Sequence, residues 1–273
     1  MFRTEESNSS AALAMRTLML IYHSTVRDVR KSHGNAVIGL AMNILQTVIF
    51  VAAFYFMFSF LGLRGSAIRG DFLLYIMTGI FLFLTHTKTM GAVVGSEGPA
   101  SPMMKHRTMN TVIAISAASL SALYIQLLSM VVVLLVYHLA FTPITIYDPI
   151  GSLKMVLLAW FTGIAIGMVF LAIKPWAPSF TKLGSTIYSR ANMIASGKMF
   201  VANTLPSSML AMFDWNPLFH IIDQARGYTF INYYPNNSSP TYPFYVAIAC
   251  LMVGLMGEFY TRKRASVSWT AKL

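Results

Sequence analysis

Cysteine is almost missing from this chain: Cys250 is the only one in 273 residues, so no intrachain disulfide can form. Cys250 falls within an apolar window, where it reads as a small buried apolar side chain. Carboxylates are scarce as well, nine Asp and Glu against twenty Lys and Arg. Inside the apolar windows they nearly vanish, leaving Glu258 near the end of the last window and Asp71 at the start of the second. Proton-coupled carriers use intramembrane Asp, Glu or His relays, and His86 and His138 alone do not make one. No group of His, Cys and carboxylates has metal-ligand spacing, so a metal centre is not indicated. A G-x-x-x-x-G-K-[ST] phosphate cradle is also missing, so any nucleotide hydrolysis that drives the protein belongs to a separate subunit.

Charged residues make up only 11% of the chain and hydrophobic residues 56%, whereas soluble domains carry roughly 25% charged residues. Several windows of about 20 residues hold no charge at all, the length that crosses the hydrocarbon core. The chain therefore reads as all-α, a polytopic integral membrane protein. Its net charge of +11 could suggest nucleic acid, but the cations sit in short tracts beside the apolar windows, which membrane topology explains better.

Six transmembrane helices are expected, roughly 35 to 60, 71 to 90, 111 to 138, 152 to 173, 183 to 205 and 243 to 260. The tracts Arg27, Arg30 and Lys31, then Lys105 and Arg107, then Lys174 and Lys182, then Arg262, Lys263 and Arg264 fall on one side. The positive-inside rule makes that side, and both termini, cytoplasmic. The other side receives Arg64 with Arg69, Asp148 with Lys154, and the long segment 206 to 242. No cleavable signal peptide is evident, because Glu5 and Glu6 precede the first apolar run and Arg16 interrupts it.

Before the first span, residues 10 to 32 have a helical period. Met15, Leu18, Met19, Tyr22, Val26 and Val29 form one stripe, while Arg16, His23, Arg27 and Arg30 form another, as suits an amphipathic interfacial helix capped by Ser9 or Ser10. Such a helix either anchors the chain or docks a cytosolic partner. The connection 91 to 110 is interrupted by Gly91, Gly95, Gly98, Pro99 and Pro102, so it reads as a compact turn with a short helix at most.

The fifth span carries Arg190 and Lys198, eight residues and roughly 80° apart on one helix, with Ser185, Ser189 and Asn192 nearby. A cation at bilayer depth costs about 2.5–3.5 kcal/mol, so it is normally turned to a polar cavity or a partner. Two readings stand. Both cations snorkel to opposite interfaces, or their face lines a path for an anionic or polyhydroxylated substrate. Tyr188, Phe200 and the run Phe54-Tyr55-Phe56 offer rings to sugars, or simply pack. Beyond the span, Asn216 before Pro217 marks a helix start, giving a short helix from 217 to about 229. His220, Asp223 and Arg226 share its polar face, and an Asp223 to Arg226 ion pair is the ordinary reading of that triplet.

The basic amphipathic N-terminal helix, six spans and the run Trp215-Asn216-Pro217-Leu218-Phe219-His220-Ile221-Ile222-Asp223-Gln224-Ala225-Arg226-Gly227 together resemble permease subunits of ABC-2-type exporters for capsular polysaccharide and O-antigen. Met199-Phe200, Thr204-Leu205-Pro206 and the stretch from Arg30 to Leu40 support the likeness, which covers essentially the whole chain. Two departures are that Ile38-Gly39-Leu40-Ala41 lacks an aromatic after the Leu-Gly step and that Lys198 occupies an often uncharged position.

The resemblance implies a cytoplasmic segment 1–34, a transmembrane domain 35–260 and a cytoplasmic tail 261–273. It implies short periplasmic re-entrant helices between helices five and six, in a multi-pass protein of the bacterial inner membrane. It also implies a homodimer with two cytosolic ABC ATPase subunits that bind ATP and Mg, while this chain binds no cofactor and makes no covalent bond. The cargo would be a lipid-linked polysaccharide, with periplasmic and outer-membrane export proteins as further partners and no nucleic acid. Arg27, Arg30, Lys31, Glu97, Lys105 and Arg107 would couple to the ATPase. Arg190, Lys198, Tyr188, Asn192, Phe200 and Tyr55 would line the substrate path at the dimer interface. Pro206, Trp215, Asn216, Pro217, His220, Asp223 and Arg226 would form the periplasmic gate. An ABC-2 permease for teichoic acid, lipid or drug is the alternative, and a membrane enzyme acting on a lipid-linked sugar a more distant one.

Overall fold

The computed structural model describes residues 10–31, 36–60, 62, 68, 70–96 and 110–264. Among these residues all regular structure is helical. An amphipathic α1 (Ser10–Lys31) precedes four long apolar helices, α2 (Ala36–Phe60), α3 (Phe72–Gly95), α4 (Thr111–Ala140) and α5 (Pro149–Ile173). Three shorter helices follow, α6 (Pro178–Ala195), α7 (Ser207–Phe213) and α8 (Pro217–Thr229), and the described chain closes with α9 (Thr241–Arg264). Of these, α2, α3, α4, α5 and α9 are long and apolar enough to cross a membrane. The chain is thus a polytopic helical membrane protein with five such helices among the described residues.

Connections tie the helix ends into two layers. Lys174 Nζ donates to Val94 O at 2.8 Å, and Trp176 Nε1 to Thr261 Oγ1 at 2.8 Å, which joins the ends of α3, α5 and α9 at what is here called the proximal end. At the distal end, Thr142 Oγ1 donates to Asp71 Oδ2 at 2.9 Å, and Asp148 N to Tyr228 O at 2.7 Å. Asp71 and Asp148 also cap α3 and α5 by accepting from Leu73 N and Gly151 N. The central helix is α3, packed against α2, α4, α5 and α8, whereas α2 and α9 leave most of their surface uncovered.

The fifth expected span differs from the sequence reading. Its helix begins earlier, at Pro178 in the first turn, and stops at Ala195 rather than running from 183 to 205. Gly197 takes φ +73°, the left-handed conformation that ends helices, and a Cβ there would lie 2.7 Å from Phe219. The chain then returns through a 3-10 turn at Ala202–Thr204 and α7 to α8. As read from Asn216 and Pro217, α8 starts with the Asn216 side chain accepting from Leu218 N at 3.0 Å. It is not a surface helix, however: Leu218, Phe219, Ile221 and Ile222 are at most 1% exposed, wedged among α3, α5 and α9.

On α1, the stripe Met15, Leu18, Met19 and Tyr22 stays more than half exposed, and Ser24 is buried on the helix that packs along α4. Arg27 lies 3.5 Å from Asp28, and Arg27 and Arg30 are exposed. Ser9, Glu97, Lys105 and Arg107, and so most of the expected coupling loop, lie outside the described residues, as does the side chain of Lys31.

Candidate functional site

Near the proximal end, the last turns of α3 present two faces to two cavities. Thr87, Gly91 and Val94, spaced by a helical turn, face a cleft of about 690 Å³ shared with α6. Three cations line it, Lys174, Lys182 and Arg190, and among the described residues no carboxylate does. Lys174 is tied to the carbonyls of Val94 and Ser96, while Arg190 is exposed. Ser185 and Thr186 both donate back to Lys182 O, and Ser189 to Ser185 O, so their oxygens remain as acceptors along the wall. The cleft therefore combines positive charge with hydroxyls that can receive hydrogen bonds, a surface suited to an anionic, hydroxylated chain.

Arg190 is the residue of the expected substrate path that opens into this cleft. Tyr188 instead holds His86, with Oη 3.0 Å from Nε2, and the other ring nitrogen of His86 meets Thr162 Oγ1 at 2.9 Å. That chain of bonds pins α6 to α3 and α5. Asn192 is buried and accepts from Asn216 Nδ2 at 2.9 Å, which joins the end of α6 to the start of α8. Phe200 packs at a tilt against Phe213 and Phe219, and Tyr55 packs against Phe56 and Phe72. The structure does not place Lys198 on one helical face with Arg190, because the helix ends between them. Lys198 is 3% exposed, with Nζ 3.7 Å from the Phe83 ring centroid, 4.7 Å from Phe54 and 5.4 Å from Phe50, and it has no hydrogen-bond partner. Gly79 lets α3 approach this turn, since a Cβ there would sit 2.8 Å from Lys198 Cβ.

The gate residues form a second, distal group. Pro206 opens α7, and Trp215 is exposed, its Nε1 donating to Met212 O. His220 Nε2 donates to Asp214 O at 2.6 Å, and its other nitrogen accepts from Ser239 N. Asp223 and Arg226 do not pair with one another. Asp223 accepts from Tyr233 and, at 2.6 Å, from Ser238 Oγ, and burial together with that carboxylate pushes the Tyr233 phenol above its ordinary range. Arg226, 1% exposed, donates to the carbonyls of Gly197, Lys198 and Phe200 while its guanidinium lies 4.2 Å from the Tyr75 ring. Arg226 thus caps the turn that ends α6.

Sequence reasoning overlooked Lys88, a third cation within an apolar helix, together with its amide neighbours Asn43, Gln46 and Gln126. Its position within the second expected span, 71 to 90, was the available signal. No protein-family model matches this sequence, and no significant match to a curated protein is found.

Proposed function

We propose that this chain is the transmembrane permease subunit of an ATP-driven ABC-2-type exporter that carries an anionic, lipid-linked polysaccharide outward across the bacterial inner membrane. The supporting observation is the cleft in which Lys174, Lys182 and Arg190 stand beside the hydroxyl-bearing turns of α6, with no carboxylate among the described lining residues. The cations attract phosphate or carboxylate groups of the glycan, and the serine and threonine oxygens accept from its hydroxyls. In this reading α6 delivers cargo to half depth, and the turn held by Arg226, together with α8, closes the distal half until a partner ATPase forces a rearrangement. The cytoplasmic termini, the homodimer and the two ATPase subunits belong to the same proposal, resting on the sequence resemblance and the placement of the basic tracts.

The test is surface glycan in cells carrying Arg190→Gln together with Lys182→Gln. Surface glycan is expected to fall by about tenfold, the loss of roughly one charge-assisted contact, while the chain still copurifies with its ATPase. Unchanged glycan would contradict the cleft's role, and a chain that recovers no ATPase would contradict the exporter reading.

A further inference from the structure

On the opposite face of the α3 end, Lys88 and Ala92 look into a separate chamber of about 600 Å³ between α2, α3 and α4, with Asp28 of α1 at its rim. Because an ammonium only donates, Lys88 fixes the orientation of every amide around it. It donates to Asn43 Oδ1 and, at 2.8 Å, to Gln46 Oε1. Asn43 must then turn its amino group away, and Nδ2 donates to Gln126 Oε1 and Ser129 Oγ, both at 2.7 Å. All three amide oxygens thereby accept a hydrogen bond within the network. Facing the chamber are then one N–H of Lys88 and the amino groups of Gln46 and Gln126, beside the Ser121 hydroxyl, which donates to Ala118 O, and the Asp28 carboxylate at the rim.

Lys88 forms no ion pair among the described residues, and the one carboxylate in the chamber's described lining, Asp28, lies 3.5 Å from Arg27. Asn43 and Gln126 are more than nine-tenths buried, so the network is a built wall rather than a solvated surface. A cavity whose inner wall offers a cation and free amide N–H groups, with its one described carboxylate at the rim, is complementary to a ligand that is negative and accepts hydrogen bonds. We propose that this chamber binds an oxyanion of phosphate type, carried on a lipid headgroup or free in solution. The site is distinct from the Arg190 cleft and does not depend on what cargo the chain moves.

The test uses the full chain, purified in an uncharged detergent, and measures binding of dioctanoyl phosphatidic acid, inorganic phosphate and, as a phosphate-free control, dioctanoylglycerol. Phosphatidic acid or phosphate is expected to bind and dioctanoylglycerol not. Tighter binding of the lipid assigns the headgroup, and equal binding of inorganic phosphate assigns a free oxyanion. Lys88→Gln is expected to weaken binding by at least about tenfold, in keeping with loss of a charge-assisted hydrogen bond. Asp28→Asn should strengthen it by removing a repelling charge at the rim, and every measurement is made in an Arg190→Gln, Lys182→Gln background so that the other cationic cleft does not contribute. Ala92→Phe keeps the network and projects a ring into the chamber one helical turn from Lys88, so it too should weaken binding even if Lys88→Gln fails to fold. Undiminished binding in Ala92→Phe or in Lys88→Gln, equal binding of dioctanoylglycerol, or no binding of either phosphate probe overturns the proposal.

Discussion

The ammonium of Lys198 is surrounded by three phenylalanine rings and by no oxygen within hydrogen-bond reach. Desolvated cation–π contacts return about 2 kcal/mol, whereas placing a lysine at bilayer depth costs about 2.5–3.5 kcal/mol on insertion scales. The cost exceeds the return, so the charge is held at a net loss to stability. Lys198→Met, which keeps the length and removes the charge, should therefore leave the melting temperature in detergent unchanged or raise it. A marked fall would show that the ammonium is favourably held and that the balance of these two terms is wrong. Arg226 is the opposite case. Its three carbonyl partners belong to the turn that ends α6, so its charge is met by the backbone it organises, alongside the bond from Asn216 Nδ2 to Ala195 O.

At the level of single helices, α3 depends on Asp71. Burial alone would raise the pKa of this carboxyl, but hydrogen bonds from Tyr137, Thr142 and the backbone of Leu73 and Leu74 outweigh it and hold the group below its ordinary 3.8. A carboxylate depressed in the folded state contributes stability above its unfolded value, and that contribution is lost as pH falls through the folded value. Between pH 5 and 3 the melting temperature of the wild type should thus fall more steeply than that of Asp71→Asn, which can still cap but carries no charge; parallel curves would refute the assignment. The long apolar helices were legible because their windows are uniform, and their ends lie within a few residues of the sequence reading. The end of α6 was not, because apolar residues continue on both sides of Gly197 and its left-handed backbone leaves no mark on hydropathy. The start of α8 was legible from Asn216 and Pro217, but its burial depends on α3, α5 and α9 surrounding it.

Across the whole molecule, two cavities flank the proximal end of α3, one lined by Lys174, Lys182 and Arg190 and the other by Lys88. Only Arg190 among these was singled out from sequence as a path residue. The Lys88 network escaped because its members lie 83 and 86 positions apart along the chain and meet only when α2 packs on α4. The uncovered flanks of α2 and α6, with Val37, Ile49 and Phe56 on one and Phe180, Leu183 and Ile194 on the other, are large apolar surfaces that require lipid or another chain against them. A homodimer that brings these flanks together would place the Arg190 cleft beside its own axis, in line with the proposed path. The most direct measurement of that path is in-cell photo-crosslinking from a benzoylphenylalanine placed at Ser185, inside the cleft, compared with one at Leu139, on the exposed flank of α4. A glycan adduct at Ser185 with none at Leu139 is the predicted result. Export that continues with no adduct at Ser185, or equal adducts at both positions, would contradict a cargo path through the cleft.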